Sequence, residues 1–320
     1  MFSDKKPDYT ITNLHTTKYS GTQVVAETFL DLLLRFGGIY VPETWGTDEN
    51  AQRVFKEGAR QEIVREWTLP TKKRYLFFHR KRPVEIQMFL GIDRFPRAKF
   101  NRFSMYIRDK YFSSQKQIDE FLGLATELCS IMRVDYGFIA HALQERRHSP
   151  ALTPAERLPG VYWANFFGRP YIDFFGREKL LGTPCFKVHQ IQSDLILLLT
   201  AERPHCAAML ENDNIVDQVK RFLNQNAFAG LNFPDEPCNV PQFDFSEVRG
   251  ETNASEMGSV EERIKRVRAD LEAKGYRVIS ESATALLLQG DACVAIFDLK
   301  TGELSLGMSG SVPPFGPPGT

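Results

Sequence analysis

Cysteine is scarce in this sequence and badly placed for chemistry. The five cysteines, Cys129, Cys185, Cys206, Cys238 and Cys293, are odd in number, far apart and without a C-x-x-C pair. That spacing argues against a disulfide framework and a structural zinc site, and it fits free thiols in a reducing cytosol. The six histidines, His15, His79, His141, His148, His189 and His205, form no H-E-x-x-H pattern, so neither a metal nor a cofactor is expected. Phosphate-loop and nucleophile-elbow patterns are missing too. Gly160, Gly168 and Gly176 recur evenly, but bulky aromatics fill the gaps where a phosphate cradle needs small residues. No apolar run is long enough to span a membrane or to follow the basic start of the chain as a leader, and the expectation is a cytoplasmic protein. Charge bias is absent as well: Lys plus Arg and Asp plus Glu both total 40, which removes any global pull towards nucleic acid or membrane.

What is present is an ordinary apolar fraction, 42% of 320 residues, enough for a substantial core. Its densest stretch is Leu158–Leu181, LPGVYWANFFGRPYIDFFGREKLL, which reads as a short strand, a turn and one or two short helices joining an N-terminal sheet to later strands. Before it, Gly21 to Phe36 carries one apolar face at helical spacing and ends at Gly37 and Gly38. A weaker helix is expected within Thr47 to Gln61. Runs at Ile63–Leu69, Arg74–His79, Glu85–Leu90 and Phe100–Ile107 read as an antiparallel meander. Ser113 or Ser114 is placed to cap a helix running to Met132, and Val134–Ala142 reads as a strand.

After the aromatic stretch, Cys185–Ile191 and Asp194–Thr200 read as a hairpin whose Leu195–Leu199 run is central and buried on both faces. Asn214–Leu223 reads as a helix, Val260–Lys274 as another, and Tyr276–Ser282, Ala283–Leu288 and Ala292–Leu299 as strands. The fold class expected is α+β, a mostly antiparallel sheet with helices on one face, plus a small C-terminal helix-and-strands unit. The expected division is a main domain at 1–235, a linker at 236–258, the small unit at 259–308 and a tail at 309–320.

Candidate chemistry is thin. Asp291, Asp298 and Lys300 resemble the acid and D-x-K arrangement of restriction-endonuclease-like folds, yet DLKTGE from Asp298 also spells an ordinary hairpin turn. Arg94, Arg97 and Arg102 alternate with aromatics in a manner that suits nucleic acid or a protein surface, or simply a guarded sheet edge. Within the aromatic stretch, Tyr162, Trp163, Arg169 and Tyr171 combine apolar area with a polar tip, the mixture that anchors protein interfaces. The histidines on strands read as structural.

Three segments, GVYWANFFGRPYIDFFGREKLL, IYVPETWG and FLGIDRFPRAKFNRFSMYIRDKYF, resemble bacterial immunity proteins of polymorphic-toxin and type VI secretion systems over residues 9 to 225. The resemblance implies a cytoplasmic, non-enzymatic α+β protein that binds a cognate protein toxin and blocks it. It carries over no toxin-contact residue and leaves the C-terminal unit unexplained. A metal-dependent nuclease in that unit, or a nucleic-acid-binding accessory protein of a defence system, stands as the alternative.

Overall fold

The computed structural model describes residues 8–56, 58–147, 154–207, 213–228 and 240–250, together with four strands beyond residue 276. The chain divides into two compact units, Met1–Glu251 and Thr252–Thr320. The first unit runs β1 (Tyr9–Thr16), α1 (Gln23–Phe36), β2 (Thr44–Gly46), β3 (Arg53–Val54), α2 (Ala59–Thr68), β4 (Lys73–Arg80), β5 (Ile86–Asp93) and β6 (Asn101–Arg108). It continues through α3 (Gln115–Met132), β7 (Tyr136–His141), α4 (Ala142–Arg147), β8 (Ala164–Gly168), α5 (Arg169–Phe175) and α6 (Arg177–Leu181). β9 (Lys187–Gln192), β10 (Leu195–Leu199), α7 (Pro204–Ala207), α8 (Asp213–Leu223) and α9 (Ser246–Arg249) complete it.

Ten strands form one sheet in the order β3-β2-β4-β5-β6-β1-β7-β8-β10-β9, with antiparallel pairing throughout. The fold is α+β. On one face, alternate residues such as Leu14, Leu76, Phe78, Met88, Leu90, Phe103, Met105, Ile139 and Phe166 meet the apolar sides of α1, α2 and α3. α1 begins at Thr22, whose hydroxyl accepts from Val25 N–H, and ends at Gly37, where a positive φ of 64° suits glycine. α3 opens on a reciprocal capping box between Ser114 and Gln117.

On the opposite face, among the described residues, a second core lies over the β7, β8 and β10 half. Tyr136, Phe138, Phe167, Ile196 and Leu198 pack there against Tyr171, Phe175 and Leu180 of α5 and α6 and against Val216, Val219 and Leu223 of α8. Phe243 and Phe245 extend this cover, with Phe243 ring centroids 5.8 Å from Tyr171 and 5.3 Å from Phe100.

Several local expectations change. Ile63–Leu69 is not a strand: Ala59, Ile63 and Trp67 recur four apart and make the buried stripe of α2, anchored by Trp67 Nε1–H donating to Ser20 O at 2.8 Å. The weak helix expected within Thr47 to Gln61 is replaced by β3 and the start of α2 at Ala59. β1 was not foreseen, yet it lies between β6 and β7 in the middle of the sheet. β10 is buried on both faces but second from the sheet edge rather than central. The aromatic stretch is not a connector between sheets, because β8 is itself a strand of the one sheet, paired with β7 and β10.

In the second unit β11 (Arg277–Glu281), β12 (Ala285–Gln289), β13 (Cys293–Asp298) and β14 (Leu304–Met308) form an antiparallel meander in chain order. The helix expected at Val260–Lys274 and the tail fall outside the described residues.

Candidate docking face

β4, β5 and β6 read KRYLFFHR, IQMFLGID and NRFSMYIR. Successive side chains alternate between sheet faces, so Leu76, Phe78, Ile86, Met88, Leu90, Phe103, Met105 and Ile107 go to the helix side. Tyr75, Phe77, His79, Gln87, Phe89 and Tyr106 are left on the opposite face, where each is half-buried. The register sets Phe77 directly across from Phe89, and Gln87 across from Tyr106. Phe77 and Phe89 have ring centroids 5.1 Å apart, Tyr75 and Phe89 5.4 Å.

Gly91, across from Tyr75, makes this packing fit: a Cβ there would stand 3.3 Å from the Phe89 ring and 3.6 Å from the Tyr75 ring. The two aromatics close over a bare backbone, which restores the cover a glycine removes from a strand.

Cations surround the rings. Lys73 Nζ lies 5.0 Å from the Tyr75 centroid, and a hydrogen bond with Tyr75 raises its pKa, so its charge is held. Arg102 is exposed and, among the described residues, bonds neutral partners, Ser104 Oγ at 3.0 Å and Asn13 Oδ1 at 2.8 Å. Arg108 stacks over Tyr9 at 4.1 Å and pairs with Glu85 at 3.0 Å. Burial opposes the Glu85 charge, but hydrogen bonds from Tyr9 and Arg108 outweigh it and hold the carboxyl below its usual range. Desolvation, with the bond to Glu85, pushes the Tyr9 phenol up to about 12. Desolvation and then Lys81 lower the pKa of His79, which favours its neutral form. Glu85 is thus neutralised within the chain, Lys73 faces Asp93 across the β4–β5 pair and feels its charge, and Arg102 makes no ion pair among the described residues.

Three of the four anchors expected in the aromatic stretch are core instead. Tyr162, Trp163 and Tyr171 are 1%, 0% and 0% exposed. Tyr162 stacks on Phe138 at 4.0 Å, Trp163 Nε1–H donates to Ala201 O at 2.9 Å, and Tyr171 O–H donates to Pro154 O at 2.8 Å. The polar tips of Trp163 and Tyr171 are satisfied inward, the arrangement that lets large amphipathic rings be buried. Asn165 closes the turn by accepting from Tyr162 N–H and donating to Tyr162 O. Arg169 is exposed and ion-paired with Asp173 one turn on.

Arg94 and Arg97, both exposed, lie in the loop between β5 and β6, and Arg94 covers the Tyr19 ring at 4.7 Å. Asp298 ends β13 opposite Ala285, whereas Asp291 and Lys300 fall outside the described residues.

His141 is the histidine closest to a catalytic arrangement, beside Asp109 and the His205 ring. Its Nδ1 accepts from Leu143 N–H at 3.1 Å and its Nε2 meets Asp109, whose other oxygen accepts from Thr10 O–H at 2.7 Å. Both ring nitrogens are engaged within the fold, so neither is left to take a proton from a substrate. Among the described residues no group of three or more His, Cys, Asp and Glu side chains could hold a metal ion, and no helix is long and apolar enough to cross a membrane.

No family model and no curated protein matches the chain. Among solved structures, a type VI secretion system protein of Pseudomonas aeruginosa is similar over 80% of this chain and 85% of its own, at 12% identity and a TM-score of 0.48.

Proposed function

We propose that this protein acts by binding, neutralising a cognate protein toxin through the aromatic face of β4, β5 and β6. The observation that carries the reading is the patch itself. Tyr75, Phe77, Phe89 and Tyr106 reach solvent side by side on a sheet half that no described helix covers, with Lys73 and Arg102 at its rim. Contiguous aromatic area flanked by charge is what protein interfaces use for anchoring and orientation. The resemblance to immunity proteins supplies the partner class. The same rings are poorly arranged as a base-stacking platform, since Tyr75, Phe77 and Phe89 pack against one another and Lys73 already covers Tyr75.

The test is co-expression with toxins encoded beside the gene, followed by affinity measurement on the pair that gives protection. Phe77→Ser with Phe89→Ser should leave the fold intact by circular dichroism and weaken binding by roughly thirtyfold or more. A double variant that protects and binds as well as the parent overturns the assignment of the face. Absence of protection against every neighbouring toxin overturns the function.

A further inference from the structure

We propose that the loop from Tyr19 to Thr22, with Arg74 beneath it, binds a tetrahedral oxyanion: a phosphate group, free or carried on an organic molecule. The site lies on the helix side of the sheet and is separate from the docking face.

Arg74 sits on β4 between Lys73 and Tyr75 but points the other way, into the layer of Leu76 and Phe78, and is 7% exposed. Its guanidinium makes one hydrogen bond, from Nη2 to Tyr19 Oη at 2.7 Å, while Nε and Nη1 are buried without partners. No described carboxylate pairs with it. Asp93 is close in sequence register, but it lies across from Lys73 and so on the opposite face. A guanidinium buried against one neutral oxygen is an expensive arrangement unless an anion completes it.

The loop above adds two further kinds of donor. Ser20 is 2% exposed and its Oγ has no partner, although its backbone is fixed at both ends, N–H to Asn101 Oδ1 at 3.1 Å and C=O from Trp67 Nε1–H at 2.8 Å. α1 starts immediately after, and its first turn carries no acidic residue. The Thr22 hydroxyl takes Val25 N–H, which leaves Gln23 and Val24 N–H at the positive end of a fourteen-residue helix, both residues exposed.

Gly21 joins the two parts. Gly21 is buried, and a Cβ there would fall 2.3 Å from Arg74 Nη2 and from Tyr19 Oη, so the guanidinium reaches the loop only because that position has no side chain. Arg94 over the Tyr19 ring adds a second positive charge. Glu247 bonds the same loop, but through Tyr19 N–H at 3.3 Å and Lys18 Nζ at 2.9 Å. Donors approaching from a helix end, a hydroxyl and a guanidinium suit an anion with acceptors in several directions, which favours a tetrahedral group over a planar one.

The experiment is thermal unfolding and isothermal titration of the full chain with inorganic phosphate, against chloride at matched ionic strength, with adenosine monophosphate as the organic arm. Phosphate should raise Tm saturably where chloride does not. Gly21→Ala, whose methyl displaces Arg74, and Arg74→Met should each weaken the apparent Kd by at least about tenfold. Ser20→Ala should weaken it about threefold. If Arg74→Met fails to fold, Gly21→Ala carries the test. Tighter binding of the monophosphate assigns an organic phosphate, and equal binding assigns the free anion. A phosphate response no larger than that of chloride, or one unchanged in Gly21→Ala, overturns the site.

Discussion

The two halves of the ten-stranded sheet treat the same kind of residue in opposite ways. Around β7, β8 and β10 the aromatics of both faces are enclosed, by α3 on one side and by α5, α6 and α8 on the other. Around β4, β5 and β6 one face meets α1 and α2, and the other presents Tyr75, Phe77, Phe89 and Tyr106 to solvent. Aromatic density therefore marks a core in one half and a surface in the other, and topology decides which. The denser stretch, around Trp163, is the one whose rings lie inside the fold.

The comparison can be broken most forcefully in the enclosed half. Trp163→Ala removes a side chain with no exposure and a hydrogen bond to Ala201 O, and should cost about 3–5 kcal/mol in urea unfolding. A loss under about 1 kcal/mol would mean that this half is loosely packed and that the contrast is false.

A pH titration probes the boundary between the halves. Desolvation first, and Arg102 second, push His15 down to about 3, beside Phe100 and its cover of Phe243 and Phe245. The folded state then binds fewer protons than the unfolded one between pH 3 and the ordinary histidine value of 6.5. Stability should be full above that range and fall as pH drops through it, by up to about 1.4 kcal/mol per pH unit from this group. His15→Gln should flatten that part of the curve, and an unchanged slope would place the proton uptake elsewhere.

The smallest effect belongs to the open half. Phe89→Arg, on a face in contact with water, should shift unfolding by no more than about 1 kcal/mol. A loss comparable with that of Trp163→Ala would show the face to be structural cover rather than a free surface.

Much of this division follows from local pattern. The spacing of Val25, Phe29, Leu32 and Leu33 marks α1, Ser114 with Gln117 marks the start of α3, and the runs Cys185–Ile191 and Asp194–Thr200 mark the β9–β10 hairpin. β1 escapes because Thr10, Thr12, Asn13 and Thr16 are buried alongside Ile11 and Leu14, so no apolar alternation betrays a strand covered on both faces. α2 misleads because Ile63, Val64 and Trp67 are strand-favouring residues whose spacing by four decides the outcome. The docking face is hidden for a related reason: Tyr75, Leu76, Phe77 and Phe78 are apolar in both phases of the alternation, and among the described residues only the absence of a helix over one phase exposes it. Arg74 is one more cation in a basic run until its direction is known.

The place of β1 also governs how the molecule is made. Its neighbours are β6, at residues 101–108, and β7, at residues 136–141, so β1 cannot find both partners until the chain has been made through β7. Until then β1, even when paired with β6, has one unsatisfied edge, and closing the sheet requires a long-range loop closure of the kind that slows folding. The nascent chain should consequently pass through a half-formed sheet with an open edge, the stage at which chaperones and misassembly compete for it.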